Sequence, residues 1–180
     1  MSSLDQLATR AAAGDRWATE QFVRETQADV WRLCRWMGDL HAADDLTQET
    51  YLRALGSLSR FRGDGSARSW LLSIARRTCA DHARRSVRRR RLDDKVAANA
   101  DHNLEPTGGH WFEVEDLLGA LDEDRREAFV LTQLLGLRYE EAAAALDVPV
   151  GTIRSRVARA RADLLPLVEE PGSGRSATTS

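Results

Sequence analysis

Apolar side chains recur along this chain at three- and four-residue spacing. In residues 15–37 the recurring positions are Phe22, Val23, Thr26, Val30, Leu33, Cys34 and Met37, with charged residues between them. That is the signature of an amphipathic helix. Residues 43–58 predict a second helix, opened by Asp44, Asp45 and Glu49, where acid complements the helix dipole. Gly56-Ser57-Leu58-Ser59 ends it, and Phe61-Arg62-Gly63-Asp64-Gly65-Ser66 reads as a loop through its two glycines. A third helix starts near Ser66 or Ser69 and runs to about Arg90, with Leu71, Ile74, Ala75 and Thr78 on one face. The two-residue alternation of a strand is not sustained anywhere. The expected fold is all-α.

Residues 93–112 break the periodicity. They are polar and acidic, and contain Pro106, the first proline of the chain. The break predicts a flexible acidic linker between two small helical domains. Val114, Leu117, Leu118 and Leu121 then begin a new amphipathic run, and 125–135 gives a further helix with Gly136 as its C-cap. The expected division is therefore a first domain over 10–92, the linker over 93–112, a second domain over 113–168 and a disordered tail over 169–180.

The second domain carries the sharpest pattern. Tyr139–Leu146 is a short helix of strong helix formers, Asp147-Val148-Pro149 is a tight break, and a second helix starts at Val150. A short helix, a brief turn and a second helix make a helix-turn-helix. Ile153, Val157, Ala160 and Leu164 form one stripe of that second helix. Arg154, Ser155, Ala158, Arg159 and Arg161 are left on the other faces, with small residues between long cations. Small residues let a helix enter a major groove, and arginine pairs bidentately with guanine edges. A merely solvated basic face is the competing reading, and the turn and scaffold helix weigh against it.

Charge sharpens this picture. The net charge of −2 conceals blocks: residues 1–59 balance at −3, 60–92 at +9, 93–147 at −10 and 148–180 at +2. Segregated blocks of this size point to more than one charged partner. Only Lys95 is lysine among the 26 basic residues, and guanidinium suits phosphate and guanine. Two cysteines are too few for a disulfide framework or a complete structural zinc site. Cys79 and His82 make at most half a metal site, and Gly63-Asp64-Gly65 lacks a calcium loop's ladder of acids. No phosphate-binding glycine loop, nucleophile elbow or metalloprotease histidine pair is present, so neither an enzyme nor a cofactor is expected. Neither a secretory signal nor a membrane-length apolar run appears, and the expected location is a reducing cytoplasm.

Two sets of motifs carry a family resemblance. Pro149-Val150-Gly151-Thr152-Ile153-Arg154-Ser155-Arg156, followed by Arg159-Ala160-Arg161, resembles the promoter-reading helix of extracytoplasmic-function sigma factors, which are bacterial transcription initiation factors. The resemblance implies that this helix binds the double-stranded −35 element. Arg154, Ser155 and Arg159 would then lie at or near base edges, with Ala158 between them, and Arg156 and Arg161 on phosphate. Pairing of Arg156 and Arg161 with the acids around Glu140 and Glu141 is the alternative.

In the first domain, Asp44-Asp45-Leu46-Thr47-Gln48-Glu49-Thr50-Tyr51-Leu52-Arg53-Ala54 is similar to the family's polymerase-binding helix. Asp45, Gln48, Glu49 and Leu52 share a face. The resemblance makes that face, with Asp44, the dock for the β′ clamp coiled coil, and adds contact with the β flap. The segment Phe61 to Arg85 resembles the part that recognises and melts the −10 element. By that resemblance Phe61, Arg62, Gly63 and Arg68 belong to base capture, and Arg76, Arg77, Arg84 and Arg85 line the single strand. Trp70 is read chiefly as core and secondarily as a stacking platform. Arg77 replaces the family's usual asparagine, and Asp81 is read as a structural partner for Arg77, Arg84 or Arg85. The linker would follow polymerase's RNA-exit path, and the resemblance leaves open an anti-sigma partner. The competing function is a stand-alone helix-turn-helix regulator that binds operators without polymerase. An anti-sigma decoy is a further rival.

Overall fold

The computed structural model describes residues 2–38, 40–61, 63, 65–93 and 109–169. The −10 candidate Arg62, most of the expected linker and the tail beyond Glu169 lie outside them. Among the described residues the secondary structure is helical throughout, with no strand.

The first domain holds α1 (Ser3–Ala12), α2 (Arg16–Met37), α3 (Ala43–Ser57) and α4 (Ala67–Asp93), with 3-10 turns at Leu40–Ala42 and Leu58–Arg60. The stripe read in residues 15–37 faces the core: Phe22, Thr26, Val30, Leu33 and Cys34 are all buried, and Val23 and Met37 partly so. Burying a side chain such as Phe22 contributes about 1.5–3 kcal/mol. Thr26 is buried with its hydroxyl satisfied, donating to the Phe22 carbonyl at 2.7 Å and sharing a 2.7 Å bond with Tyr51 of α3. Burial pushes the Tyr51 phenol up to about 12, so this bond between α2 and α3 persists across the physiological range.

α1 lies before the first sustained apolar periodicity of the chain. The Ser2 side chain accepts from the Asp5 amide while the Asp5 carboxylate accepts from the Ser2 amide, a reciprocal capping box. Leu7, Ala8 and Ala11 are buried beneath it. Its sequence signal, Ser-x-x-Asp followed by apolar residues at helical spacing, is present but short.

The second domain holds α5 (Gly109–Gly119), α6 (Glu123–Phe129), α7 (Tyr139–Leu146) and α8 (Val150–Glu169), with a π-helical turn at Val130–Leu134 running on from α6. Helices therefore extend into both ends of the segment expected to be linker. Gly136 adopts φ +69°, which glycine takes without a Cβ clash, and it follows the end of the π-helical turn. Asp147 closes α7 in the left-handed conformation at φ 55°, and the Pro149 carbonyl accepts the Thr152 and Ile153 amides at the start of α8.

The domains pack against each other. Buried side chains from both form one continuous core cluster, with α7 seated on α4 and the π-helical turn against α2.

Candidate functional site

α3 carries the residues expected to dock on polymerase. Leu46, Thr47, Thr50 and Ala54 are buried, and this turns Asp45, Gln48 and Leu52 out to solvent. Leu52 is 69% exposed, a large apolar side chain set among polar ones. Asp44 is turned aside and accepts the Trp31 indole N–H at 2.8 Å. Glu49 pairs with Arg53 one turn on, at 2.8 Å.

Arg53 carries no distinguishing signal in the sequence, yet it joins two surfaces. It pairs with Glu49 of α3 and, at 2.9 Å, with Asp81 of α4. The bond to Asp81 and then that to Glu49 raise the guanidinium pKa further. Asp81 in turn lies 3.4 Å from Arg84. Asp81 is thus a structural partner, held by Arg53 and Arg84 among the residues described.

Between α3 and α4 lies an open groove of about 610 Å³, lined by Arg53, Arg60, Arg76, Arg77 and Arg84 together with Asp81, Ile74 and small residues. The fold therefore gathers three of the expected strand-lining arginines and adds Arg53 and Arg60. Arg85 is exposed but outside the groove lining. A second cavity of about 350 Å³ is lined by Arg60, Phe61, Gly65, Ser66, Ser69, Trp70, Ser73 and Ala144. Phe61 and Trp70 form its aromatic wall, with ring centroids 5.3 Å apart and planes tilted by 50°. Trp70 packs against the core and lines the cavity at once. Gly63 turns the loop at φ +73°, a conformation disfavoured for other residues.

The expected stripe of α8 is buried: Ile153, Val157, Ala160 and Leu164 all face the core. Arg154, Ser155, Ala158 and Arg159 are exposed on the opposite side. The Ser155 hydroxyl donates to the Thr152 carbonyl at 2.9 Å. Arg156 pairs with Asp124 at 2.5 Å, and Arg161 donates to the Gln133 side chain at 2.6 Å. Both are thus held within the domain, by residues other than Glu140 and Glu141.

Polar contacts also tie the domains together. Arg68 donates to the Leu135 carbonyl at 2.6 Å and also pairs with Asp29. The Ser69 hydroxyl donates to the Glu141 carbonyl at 2.6 Å. Arg35 pairs with Glu115 at 2.7 Å, and Arg76 with Glu127 at 2.6 Å. Glu127 is only 3% exposed, and its burial raises its carboxyl above the ordinary value despite Arg76. In this closed arrangement Arg68 and Arg76 are engaged by the second domain, and Ala144 of α7 walls the aromatic cavity.

Cys34 and Cys79 are buried in the first domain's core. Contact with Cys34, then burial, pushes the Cys79 thiol up. Among the described residues no group of three or more His, Cys, Asp or Glu is arranged to hold a metal ion. No described helix is long and apolar enough to cross a membrane.

Comparison with known proteins places these surfaces in a family. Residues 22–90 match the family model for Sigma-70 region 2, and residues 111–164 that for Sigma-70, region 4. The ECF RNA polymerase sigma factor SigC of Mycobacterium tuberculosis is 49% identical over 164 residues, covering 88% of each chain. EcfG of Rhodopseudomonas palustris, also an ECF RNA polymerase sigma factor, is 38% identical over 140 residues, 76% of each chain. Among solved structures, CnrH in complex with the cytosolic domain of CnrY matches with a TM-score of 0.74 at 30% identity, covering 93% of this chain and 98% of that one. RpoE in complex with the anti-sigma factor NepR, from Bartonella quintana, gives 0.73 at 27% identity, covering 86% and 98%. With both matched regions falling on the two domains built above, the chain belongs to the extracytoplasmic-function family of RNA polymerase sigma factors.

Proposed function

We propose specific roles for the surfaces of this transcription initiation factor. α8 reads the −35 duplex, with Arg154, Ser155 and Arg159 at base edges and Ala158 allowing close approach. The observation that carries this reading is the division of α8 into a fully buried apolar stripe and an exposed face of arginines and small residues. Arg156 and Arg161 reach phosphate by exchanging Asp124 and Gln133 for it. The groove between α3 and α4 holds the backbone of the opened −10 strand through Arg76, Arg77 and Arg84, joined by Arg60. The cavity at Phe61 and Trp70 takes an extruded base. Arg62, Gly63, Arg68 and Arg85 belong to the same surface by sequence. All of this takes place in the cytoplasm, where polymerase meets DNA.

The exposed face of α3 docks on the polymerase β′ clamp coiled coil, with Leu52 as apolar anchor and Asp45, Gln48 and Glu49 around it; the second domain meets the β flap. Replacing Leu52 by glutamate is expected to weaken binding to core polymerase by at least about tenfold, as loss of an anchor side chain does. Titration of labelled protein with core enzyme measures this, and unchanged affinity with unchanged helical content would refute the assignment. A stand-alone operator-binding regulator gives that face no role. An anti-sigma partner, like NepR in the RpoE complex, would act by holding the domains closed over α4; recovery of such a partner with the tagged protein from its native cell tests this.

A further inference from the structure

α1 meets the start of α4. The Asp5 carboxylate accepts the Ser2 amide at 2.8 Å with one oxygen and the Ala67 amide at 2.8 Å with the other. Ala67 is the first residue of α4, and its N–H is among those a helix leaves without an internal partner. The start of α4 is therefore capped twice: locally by Ser66, whose hydroxyl accepts the Ser69 amide at 3.3 Å, and by Asp5 from 62 positions away. A carboxylate at that end also opposes the positive pole of the helix. Burial pushes Asp5 up, but the hydrogen bonds from Ala67 and Ser2 outweigh it and leave the carboxyl below its ordinary value. It is ionised at neutral pH.

The same helix touches the other side of the loop. α1 packs on the 3-10 turn Leu58–Arg60, and a Cβ placed on Gly63 would lie 3.9 Å from the Thr9 hydroxyl. Phe61 follows that turn and Trp70 lies in the first turn of α4, so α1 braces both supports of the aromatic pair. Leu7, Ala8 and Ala11 anchor it in the core.

We propose that Asp5 is a positioning residue for strand capture: by fixing the first turn of α4 it sets Trp70 against Phe61. This rests on the reading of the Phe61–Trp70 cavity as the capture site. The test uses the full-length protein bound to core polymerase and a promoter fragment carrying 2-aminopurine at the extruded −10 position. Asp5→Ala is expected to lower affinity for the opened strand about fivefold, the equivalent of a lost helix cap. Affinities for core polymerase and for −35 duplex stay within about twofold, since neither surface touches Asp5. Asp5→Asn, which keeps an acceptor for Ala67, recovers most of the loss. In the protein alone, Asp5→Ala speeds amide exchange at residues 67–70, a readout independent of promoter and polymerase.

Equal losses in all three affinities, no rescue by asparagine, or unchanged exchange at 67–70 would each overturn the proposal. Phe61→Ala separates the role of Asp5 from that of the cavity. If it leaves strand capture intact, the cavity assignment itself is wrong, whatever Asp5 does.

Discussion

Replacing Arg76 by alanine is expected to open the molecule. In the closed form Arg76 is the ion-pair partner of Glu127, a carboxylate only 3% exposed. Removing one member of a buried pair leaves the other charge uncompensated, at a cost of about 3–5 kcal/mol when both are fully buried. Arg76 is 30% exposed, so solvent reduces this to about 2 kcal/mol, or roughly thirtyfold in the ratio of open to closed forms. Glu127 contacts α4 across the domain boundary, and separation of the domains returns it to water. Energy transfer between dyes on the two domains measures the change. An unchanged distance would show that the pair does not hold the domains together.

The pH dependence has a definite sign. Burial raises the Glu127 carboxyl above its ordinary value. A carboxylate whose pKa is raised in one state disfavours that state once it ionises, so the closed form gains stability as pH falls through the raised value. In the Arg76→Ala protein the effect is larger, because the compensating cation is gone. Mild acid is expected to reclose that variant. Failure to reclose would mean that Glu127 is not the group under strain.

Replacing Arg154 by alanine is expected to cost about 1–3 kcal/mol of −35 binding, between roughly 5- and 150-fold, if the guanidinium reaches a guanine edge. The arginine is exposed on α8, away from the buried stripe of Ile153, Val157, Ala160 and Leu164, so folding should be little affected. The loss should fall mainly on one position of the −35 element. Arg156→Ala, by contrast, removes an ion pair with Asp124 inside the domain and should weaken binding evenly across sequences. Competition among −35 duplexes substituted one position at a time distinguishes the two. A uniform loss for Arg154→Ala would place it on phosphate instead.

The difference between these arginines marks how far the sequence can be read. Helical spacing locates the buried stripes of α2 and α8, because each stripe is a property of one helix and its own periodicity. The exposed face of α3 is legible for the same reason. Which arginines remain available is not, because their partners are distant: Asp124 is 32 positions from Arg156, and Glu127 is 51 from Arg76. Local patterns carry no record of such pairs. Packing of the two domains is hidden likewise, since each domain shows a complete amphipathic pattern by itself. α1 escapes a periodicity reading because its ten residues offer few repeats, although its capping box is a usable signal. The π-helical turn lies in the apolar run after Phe129, where a helical reading is indistinguishable from it.

The most direct test is transcription in vitro from a library of promoter fragments, using core polymerase with the wild-type protein or with the double variant Arg154→Ala, Arg159→Ala. If α8 directs polymerase to promoters, discrete transcripts require the wild-type protein, share −35 and −10 elements upstream, and fall sharply with the double variant. Transcripts of equal strength and identical start sites from both proteins, or none from the wild type on any fragment, would contradict it.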